Sequence, residues 1–288
     1  MKRVAVLLTV FNRRESTLRC LRQLRGLTPV AGHTLEIFLT DDGCTDGTSE
    51  AVSTNFPDVH IVKGDGNLFW NRGMHAAWEA AAAYAPYDFY LWLNDDTFVY
   101  PNLLATLINA AKQTREQAII VAPTCATNNH KLLTYGGRTN DSKQIAEPKG
   151  KLTPVDYFNG NIVIVPKAVY EKVGNLDPSF RHSKGDFDYG CRAKKLGFAI
   201  FQTGQVLGAC DLHPSLDAWC NPEVPLAKRW HALHKPNGMP PRETFYFELR
   251  HTGLFTASFH FLTVHLRCLC PQLWAKRNKR ALSAVRNS

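Results

Sequence analysis

The sequence predicts an α/β fold built around a parallel, doubly wound sheet, and three features support that prediction. Short runs of apolar and β-branched residues alternate with segments whose apolar residues recur at helical spacing. Polar residues follow several of these runs directly, as they do at the ligand-binding edge of doubly wound sheets. The chain has 288 residues, of which 44% are hydrophobic, enough for one large domain with an appended segment.

The first part of the chain alternates strands with helices. Strands are predicted at the buried-type runs 4–10, 35–39, 60–62, 89–93 and 118–122. Helices are predicted at the amphipathic segments 14–26, 48–55, 74–84 and 101–113. This alternation is typical of a parallel sheet covered by helices on both faces.

Residues 126–157 interrupt the alternation, because they are polar and contain several glycines and prolines. Loops or a hairpin are expected there. Regular structure is predicted to resume with a strand at 162–165, helices at 166–173 and 187–196, and a strand at 198–201.

Cysteine usage and the N-terminus predict a cytoplasmic protein. None of the eight cysteines forms a CxxC pair, so reduced thiols are expected. Cys210, His213 and Cys220 fit no usual zinc spacing and lack a fourth ligand. The first apolar run is too short for a secretory signal, and no run of 18 apolar residues predicts a membrane span.

The net charge of +9 comes from the C-terminal fifth of the chain. Residues 1–227 carry 23 basic and 23 acidic residues, whereas residues 228–288 carry 11 basic and 2 acidic residues. The sequence therefore predicts a neutral domain over 1–227 and a basic segment over 228–288 that has an anionic partner.

Two interpretations of that basic segment stay open. Apolar residues recur at helical spacing within 245–270, and a cationic cluster follows Trp274. Such a pattern over 245–288 is typical of a helix on an anionic membrane surface, and equally of a helix packed on the domain. Nucleic-acid binding is disfavoured, because no nucleic-acid-binding motif accompanies the charge.

Polar clusters at 9–13, 40–46 and 94–96 each follow a predicted strand. The adjacent carboxylates of Asp95 and Asp96 repel each other unless a cation lies close to them, and a divalent cation carrying a phosphate would serve. A solvated turn with an aspartate as helix cap is the alternative. Three such clusters at one sheet edge favour a phosphate or nucleotide site.

Six motifs in order make the chain resemble family-2 glycosyltransferases of the GT-A fold. They are Thr9-Val-Phe-Asn-Arg13, Asp41-Asp-Gly-Cys-Thr-Asp46, Asn71-Arg-Gly73, Leu93-Asn-Asp-Asp96, Phe158-Asn-Gly-Asn161, and Asp186-Phe-Asp188 with Arg192 and Gly197. The resemblance covers about residues 4–200. Within the family, the chain most resembles the bacterial surface-polysaccharide branch, which has rhamnosyltransferase-like and galactofuranosyltransferase-like members. It implies a mixed, mostly parallel sheet flanked by helices, with a nucleotide-binding half over about 1–122 and an acceptor half over about 123–227.

The chain departs from the family pattern at three positions. Cys44 stands where the family often has serine, and Asn94 stands at the first position of an Asp-x-Asp motif. Gly185 replaces a glutamate that often precedes the base, which leaves Asp188 as a competitor of Asp186 for that role.

The resemblance also implies roles for individual residues. Asp96 would bind Mg²⁺ or Mn²⁺, with Asp95 as a second ligand and His213 as a further one. The implied donor-binding residues are Thr9, Phe11, Asn12, Arg13, Asp41, Asp42, Asn67, Trp70, Asn71, Arg72, Asn94 and Asp95. Acceptor contacts are implied for Asn159, Gly160 and Asn161. Asp186 would be the general base, and Asp188 an alternative base or an acceptor contact.

Each of these roles has a structural alternative. Asp186 also fits the N-cap of the helix predicted at 187–196. The residues Asn71 and Arg72 are expected just before the Ala-rich helix, where a surface loop is an equal alternative to a phosphate contact. A lone histidine such as His213 is more often structural than a ligand.

The sequence as a whole predicts an inverting, metal-dependent glycosyltransferase. Its donor would be a UDP- or dTDP-sugar, and its acceptor a lipid-linked or polysaccharide glycan of the bacterial surface, such as O-antigen or capsule. A GT-A-like sugar nucleotidyltransferase is one alternative, disfavoured because no Gly-rich basic loop follows the first strand. A non-catalytic glycan- or membrane-binding module is another, disfavoured by the retained Asp95, Asp96 and Asp186.

Overall fold

The computed structural model describes residues 1–141, 144–212 and 217–274. The strands are β1 (Lys2–Val10), β2 (His33–Asp41), β3 (His60–Lys63), β4 (Phe89–Leu93), β5 (Phe98–Val99), β6 (Ala118–Val121), β7 (Thr124–Cys125), β8 (Gly137–Arg138), β9 (Thr153–Pro154), β10 (Tyr157–Phe158), β11 (Ile162–Pro166), β12 (Ala199–Gln202) and β13 (Gly208–Ala209). The α-helices are α1 (Arg14–Arg25), α2 (Thr48–Asn55), α3 (Phe69–Tyr84), α4 (Leu103–Gln113), α5 (Lys167–Val173), α6 (Gly185–Lys195), α7 (Leu226–His234), α8 (Pro241–His251) and α9 (Leu254–Leu269). Short 3₁₀ helices occur at Ala218–Cys220 and Pro271–Trp274.

The main sheet has the strand order β3-β2-β1-β4-β11-β6-β12-β9. Strands β1, β2, β3 and β4 run parallel to one another, whereas β11 is antiparallel to both β4 and β6. The prediction of a mixed, mostly parallel sheet is confirmed, and the simpler prediction of a wholly parallel sheet is wrong at β11 and β9. The described residues between β6 and β11 form no crossover helix, and β11 runs in the opposite direction to β6.

Register places three strand ends at one edge of this sheet. Val10 of β1 pairs with Asp41 of β2, and Leu7 of β1 pairs with Trp92 of β4. The loops after β1, β2 and β4 therefore start side by side, at the edge where the predicted polar clusters lie.

Each face of the sheet carries its own apolar cluster, because successive strand residues point to opposite faces. Val4, Val6 and Leu8 face the cluster that includes residues of α1, α2 and α4. Ala5 and Leu7 face the cluster that includes residues of α3, α5 and α6. The predicted helix-covered, two-faced sheet is confirmed.

Loops or a hairpin were expected within 126–157, and the described residues there are mostly loops around the two-residue strands β8 and β9. Strands β8 and β10 pair antiparallel, with Gly137 opposite Phe158, while β9 joins the edge of the main sheet beside β12. A third sheet consists of three short strands in the order β5-β13-β7. Its strand β5 is the next strand after β4 along the chain.

Two helices begin earlier than the sequence predicts. Helix α3 starts at Phe69 rather than 74, and the Asp42 carboxylate accepts the backbone N–H of Phe69 at 2.9 Å. A cap from a distant strand end thus replaces a local capping residue. Helix α6 starts at Gly185, so Asp186 lies in its first turn, and the N-cap alternative for Asp186 is wrong.

The chain forms two compact units. The first comprises residues 1–178 and 185–211, and the second comprises residues 179–184 and 212–288. The boundary expected at 227 falls inside the second unit.

The second unit contains α7, α8 and α9 around a small core of Trp219, Cys220, Leu233 and Cys268. The helix expected within 245–270 is present as the end of α8 together with α9. Across the described residues, no helix has both the length and the apolar character needed to span a bilayer.

Candidate active site

An arginine lies between the two adjacent carboxylates after β4. Arg13 donates from Nη1 to Asp95 Oδ1 at 2.7 Å and from Nη2 to Asp96 Oδ2 at 2.8 Å. Arg13 follows β1 directly and the two aspartates follow β4, so the pairing of neighbouring strands brings the three side chains together. The like charges of the carboxylates are thereby compensated within the protein.

Asp95 and Asp96 differ in exposure. The Asp95 side chain is buried, and Asp96 keeps 29% of its side chain exposed. Burial raises the pKa of Asp95 to about 6 even though Arg13 opposes that shift. Thr17 Oγ1 donates to Asp95 Oδ2 at 3.3 Å, and Ser16 Oγ donates to the Asp95 carbonyl at 2.8 Å. Asp95 is therefore anchored to α1, and Asp96 presents the more accessible carboxylate.

The carboxylate pair fits a hard divalent cation only if the substrate supplies further oxygens. Among residues 1–141, 144–212 and 217–274, no group of three or more His, Cys, Asp or Glu side chains could hold a metal ion. Mg²⁺ is, however, often held by one or two carboxylates together with substrate phosphates. Binding of an ion at Asp95 Oδ1 or Asp96 Oδ2 would require Arg13 to release that oxygen. The predicted ligand His213 lies outside the described residues.

Asp41 and Asp42 at the end of β2 are both heavily hydrogen-bonded. Asp41 accepts from Lys63 Nζ at 2.8 Å, from Ser49 Oγ at 2.6 Å and from the Cys44 N–H at 2.7 Å. Burial alone would raise the pKa of Asp41, but these donors outweigh it and hold that pKa well below its usual range. Asp41 is therefore an anion at neutral pH.

Asp42 organises the loop before α3. Its carboxylate accepts the backbone N–H groups of Gly66, Leu68 and Phe69 at 2.9, 3.1 and 2.9 Å. This loop also contains the predicted donor contact Asn67, which is exposed. Asp42 thus positions the segment that leads to Trp70.

The loop after β1 is tied to the loop after β2. Asn12 adopts a left-handed backbone conformation (φ 51°), which asparagine tolerates better than most residues. Its Oδ1 accepts the Thr45 N–H at 2.7 Å. The predicted base-contacting residue Phe11 is 52% exposed, and Thr9 lies against Gly73, where a Cβ atom would come within 2.0 Å of Thr9 Oγ1.

Trp70 connects the acid pair with the predicted acceptor motif. Its indole N–H donates to Asn94 Oδ1 at 2.7 Å. Its ring lies over Gly160, where an added Cβ would stand 2.6 Å from two ring carbons. The Asn94 N–H in turn donates to the Asn161 carbonyl at 3.1 Å. The structure thus joins Trp70 to residues of two predicted motifs in one cluster.

Asp186 lies at the same cluster. Its Oδ2 accepts the N–H of Gly160 at 3.1 Å, and its Oδ1 accepts the N–H of Phe187 at 2.9 Å. The side chain is partly exposed. Its carboxylate is thus held by backbone donors and remains accessible, as a general base requires.

Asp188 has a different environment from Asp186. It is fully buried and accepts from Arg192 Nε at 2.7 Å. Arg192 also donates to the carbonyls of Val173 and Asn175 at 2.7 and 2.9 Å. This network supports the structural role of Asp188 and disfavours it as the alternative base.

The motif at 71–73 lies inside the first turns of α3, not before the helix as expected. Asn71 is buried and donates to the Asp177 carbonyl at 2.8 Å. Arg72 Nε donates to the Pro178 carbonyl at 2.7 Å. Both side chains therefore hold the turn at 175–178, and a donor contact from Asn71 would be indirect.

The predicted acceptor residue Asn159 directly precedes Gly160 in the chain. Its Oδ1 accepts from Arg138 Nε at 3.4 Å, and its N–H donates to the Gly136 carbonyl at 3.1 Å. These bonds tie the acceptor motif to the small sheet of β8 and β10.

Several residues of the cluster were not predicted. Cys210 lies with its Sγ 3.7 Å from Asp96 Oδ1, and burial, followed by Asp96, raises the pKa of its thiol to about 12. Tyr135 shares these neighbours, and burial raises its pKa to about 12. Ser49 and Lys63 support Asp41. Their contacts span many residues of sequence, and no local pattern indicates them.

The sequence of this chain matches the model of a known protein family. Residues 5–174 match the model for glycosyl transferase family 2, which is more than half of the chain. The chain belongs to glycosyl transferase family 2. The family match confirms the prediction of a glycosyltransferase.

Solved structures of two other proteins have a similar fold to this chain. The mannosyltransferase PcManGT from Pyrobaculum calidifontis, in complex with GDP-Man and Mn²⁺, is 16% identical with a TM-score of 0.55, over 98% of this chain and 85% of that protein. TarS from S. aureus is 12% identical with a TM-score of 0.55, over 92% of this chain and 43% of TarS. This chain thus spans less than half the length of TarS.

A shorter form, TarS 1–349 in complex with UDP, is 14% identical with a TM-score of 0.56, over 87% of this chain and 72% of that one. At such identities the likeness shows the fold alone. Together with the family match, it confirms the predicted GT-A fold.

Proposed function

We propose that this family-2 enzyme is an inverting, metal-dependent glycosyltransferase with a UDP- or dTDP-sugar as donor. Its acceptor would be a lipid-linked or polysaccharide glycan of the bacterial surface, such as O-antigen or capsule. The resemblance of the sequence to the branch with rhamnosyltransferase-like and galactofuranosyltransferase-like members supports this choice of pathway. The neighbours bound to UDP and to GDP-Man with Mn²⁺ support a nucleotide-sugar donor and a divalent ion.

The observation that carries the proposal is the position of Trp70 between two acidic groups. Its N–H donates to Asn94, two residues before Asp96, and its ring touches Gly160, whose N–H donates to Asp186. A diphosphate-binding carboxylate pair and an accessible base thus belong to one contiguous cluster. Sugar transfer needs these two functions on either side of the reacting carbon.

The nucleoside would bind at the ends of β1 and β2. Asp41 or Asp42 would accept the imide N–H of uracil or thymine, a donor that both of these bases offer. The exposed ring of Phe11 and the side chain of Thr9 would form the walls of the base site. The low pKa of Asp41 supports an anionic acceptor at that position.

Asp96, with Asp95 as second ligand, would hold Mg²⁺ or Mn²⁺ together with the donor's diphosphate. When bound, the ion supplies positive charge that stabilises the leaving nucleoside diphosphate. Arg13 would then turn from the carboxylates toward the phosphate oxygens, for which a guanidinium is well suited. Arg72 would be a further phosphate contact through the N–H groups that do not bind Pro178.

Asp186 would accept the proton of the acceptor hydroxyl. The hydroxyl oxygen then bonds to the anomeric carbon while the bond from that carbon to the phosphate oxygen breaks on the opposite side. The bonding electron pair leaves with the nucleoside diphosphate, and the configuration at the anomeric carbon inverts. Asn159, Gly160 and Asn161 would orient the acceptor sugar beside Asp186.

A cytoplasmic enzyme peripheral to the inner face of the cytoplasmic membrane is part of the proposal. The eight cysteines are free thiols, which reduced compartments maintain. A lipid-linked acceptor would bring the enzyme to a membrane surface.

A binding assay and a transfer assay test the proposal separately. Thermal shift with UDP and dTDP, with and without Mn²⁺, should show nucleotide binding that depends on the metal and is lost in Asp96→Ala. Asp186→Asn should keep that shift while transfer falls by about 10²–10⁴-fold, the usual contribution of a general base. Metal-independent binding would remove the metal from the proposal, and an active Asp186→Asn enzyme would remove this base.

A further inference from the structure

The outer face of α9 and of the 3₁₀ turn after it carries large apolar side chains that are exposed. Each of them is between 45% and 87% exposed, which is unusual for a folded chain of this size. They are Phe255, Phe259, Leu262, Leu266, Leu269 and Leu273. We call this set the α9 apolar face.

The spacing of the α9 apolar face makes it one continuous stripe. Its members follow each other at intervals of four, three, four, three and four residues. At about 100° per residue, this pattern keeps the five side chains that belong to α9 within about 40° of one line along the helix, and Leu273 follows in the 3₁₀ turn. The 16 residues of α9 extend over about 24 Å.

The opposite side of α9 provides the packing contacts of the second unit. Ala257 and Cys268 are fully buried there, and Val264 packs against the core of that unit. Small side chains thus face inward while large apolar ones face outward, the reverse of an ordinary surface helix. Within the described part of the chain, nothing covers the α9 apolar face.

Charge distinguishes between the possible partners of this face. After Glu248 the sequence contains no acidic residue, and residues 249–288 contain seven Lys and Arg. Five of these cations follow Trp274 directly in sequence, within residues that the structure does not describe. A second copy of the chain would bring like charges together, whereas an anionic lipid surface would complement them.

We propose that the α9 apolar face docks on an anionic phospholipid bilayer, with α9 lying in the plane of the interface. The apolar side chains would enter the boundary between headgroups and acyl chains, to a depth of about 5–10 Å. The excess of Lys and Arg over Asp and Glu after Glu248 would add electrostatic attraction to the anionic headgroups. This inference does not rest on the proposed sugar transfer, because it concerns binding alone.

Vesicle co-sedimentation of the full chain tests this proposal. The protein should sediment with vesicles of mixed phosphatidylcholine and phosphatidylglycerol, and much less with phosphatidylcholine alone. Added salt should weaken the binding, because it screens the headgroup charge. The triple variant Phe259→Ser, Leu262→Ser, Leu266→Ser should lose at least about tenfold in affinity, since three apolar side chains no longer enter the bilayer.

The matched control is Leu196→Ser, which replaces an exposed leucine of the first unit and should bind vesicles like the wild type. The single variant Leu262→Ser should show an intermediate loss, and thermal unfolding checks that each variant is folded. Equal binding by the triple variant would overturn the proposal. It would also be overturned if sedimentation velocity showed a wild-type dimer that the triple variant abolishes, without vesicle binding by either protein.

Discussion

Arg13 Nη1 lies 2.7 Å from Asp95 Oδ1, so a carboxylate proposed as a metal ligand is already paired with a cation of the protein. The second amino group of Arg13 binds Asp96 in the same way. The guanidinium and a divalent ion would therefore compete for the same oxygens. Loading of the site would exchange one cation for another, and the buried Asp95 would keep a positive neighbour throughout.

Arg13→Gln should make the metal-free protein less stable and its response to metal larger. Removing the partner of buried Asp95 is expected to cost about 1–2 kcal/mol, below the range for fully buried pairs because Arg13 is partly exposed. Thermal unfolding with increasing Mn²⁺ measures both effects. Arg14→Gln, at an exposed neighbouring position, is the control. An unchanged Mn²⁺ response would show that Arg13 does not compete with the ion.

Asp41→Asn should destabilise the protein in a pH-dependent way. The folded-state pKa of Asp41 is lowered, so its stabilising effect is present above the unfolded value of about 3.9 and is lost as pH falls through the folded value. We expect a loss of about 2 kcal/mol at pH 7, typical of charge-assisted hydrogen bonds, and a smaller loss at lower pH. Urea unfolding at several pH values measures it. Asp65→Asn in an exposed loop should have little effect, and a pH-independent loss would contradict the explanation.

Gly160→Ala should disturb the cluster around Trp70. The added Cβ would stand 2.6 Å from two carbons of the indole ring, so the ring or the backbone must move. Overpacking of this kind costs about 1–3 kcal/mol, and displacement of Trp70 should also reduce transfer. Thermal unfolding and kcat/KM measure the two effects. Gly26→Ala is the control, because its Cβ would meet only ordinary contacts at 3.5 Å, and equal behaviour of both variants would refute the packing argument.

The variants Asp188→Asn and Asp186→Asn should show that Asp188 stabilises the fold and that Asp186 acts in sugar transfer. Asp188 is buried and paired with Arg192, and loss of such a pair costs about 3–5 kcal/mol, so this variant should unfold at a lower temperature. Asp186 is partly exposed, and its variant should melt close to the wild type while losing transfer. The reverse pattern would exchange the two roles.

Much of this arrangement was predictable from the sequence because it depends on local periodicity. Strand β4 and helix α2 have the predicted bounds, since the apolar runs and helical stripes that bury them lie within each segment. The order of polar motifs after strands also predicted the edge at which the cluster lies.

Other features could not be predicted, because their causes lie far away in sequence. Helix α3 begins at Phe69 because Asp42, at a strand end, supplies its cap. The helix α6 likewise packs its first residue, Gly185, against Asn71, where a Cβ would come within 1.7 Å of Asn71 Oδ1. Neither partner can be read from the neighbouring sequence.

The sequence by itself determined the α/β class, the family and the identity of the acidic residues, since these depend on periodicity and on motifs that can be read in order. Only the tertiary structure decided which of them meet. It placed Arg13 between Asp95 and Asp96, joined Trp70 to Asn94 and Gly160, and buried Asp188 while leaving Asp186 accessible. It also turned the large apolar side chains of α9 outward. The physical reason is that pairing and burial depend on strand register and helix packing, which sequence spacing does not specify.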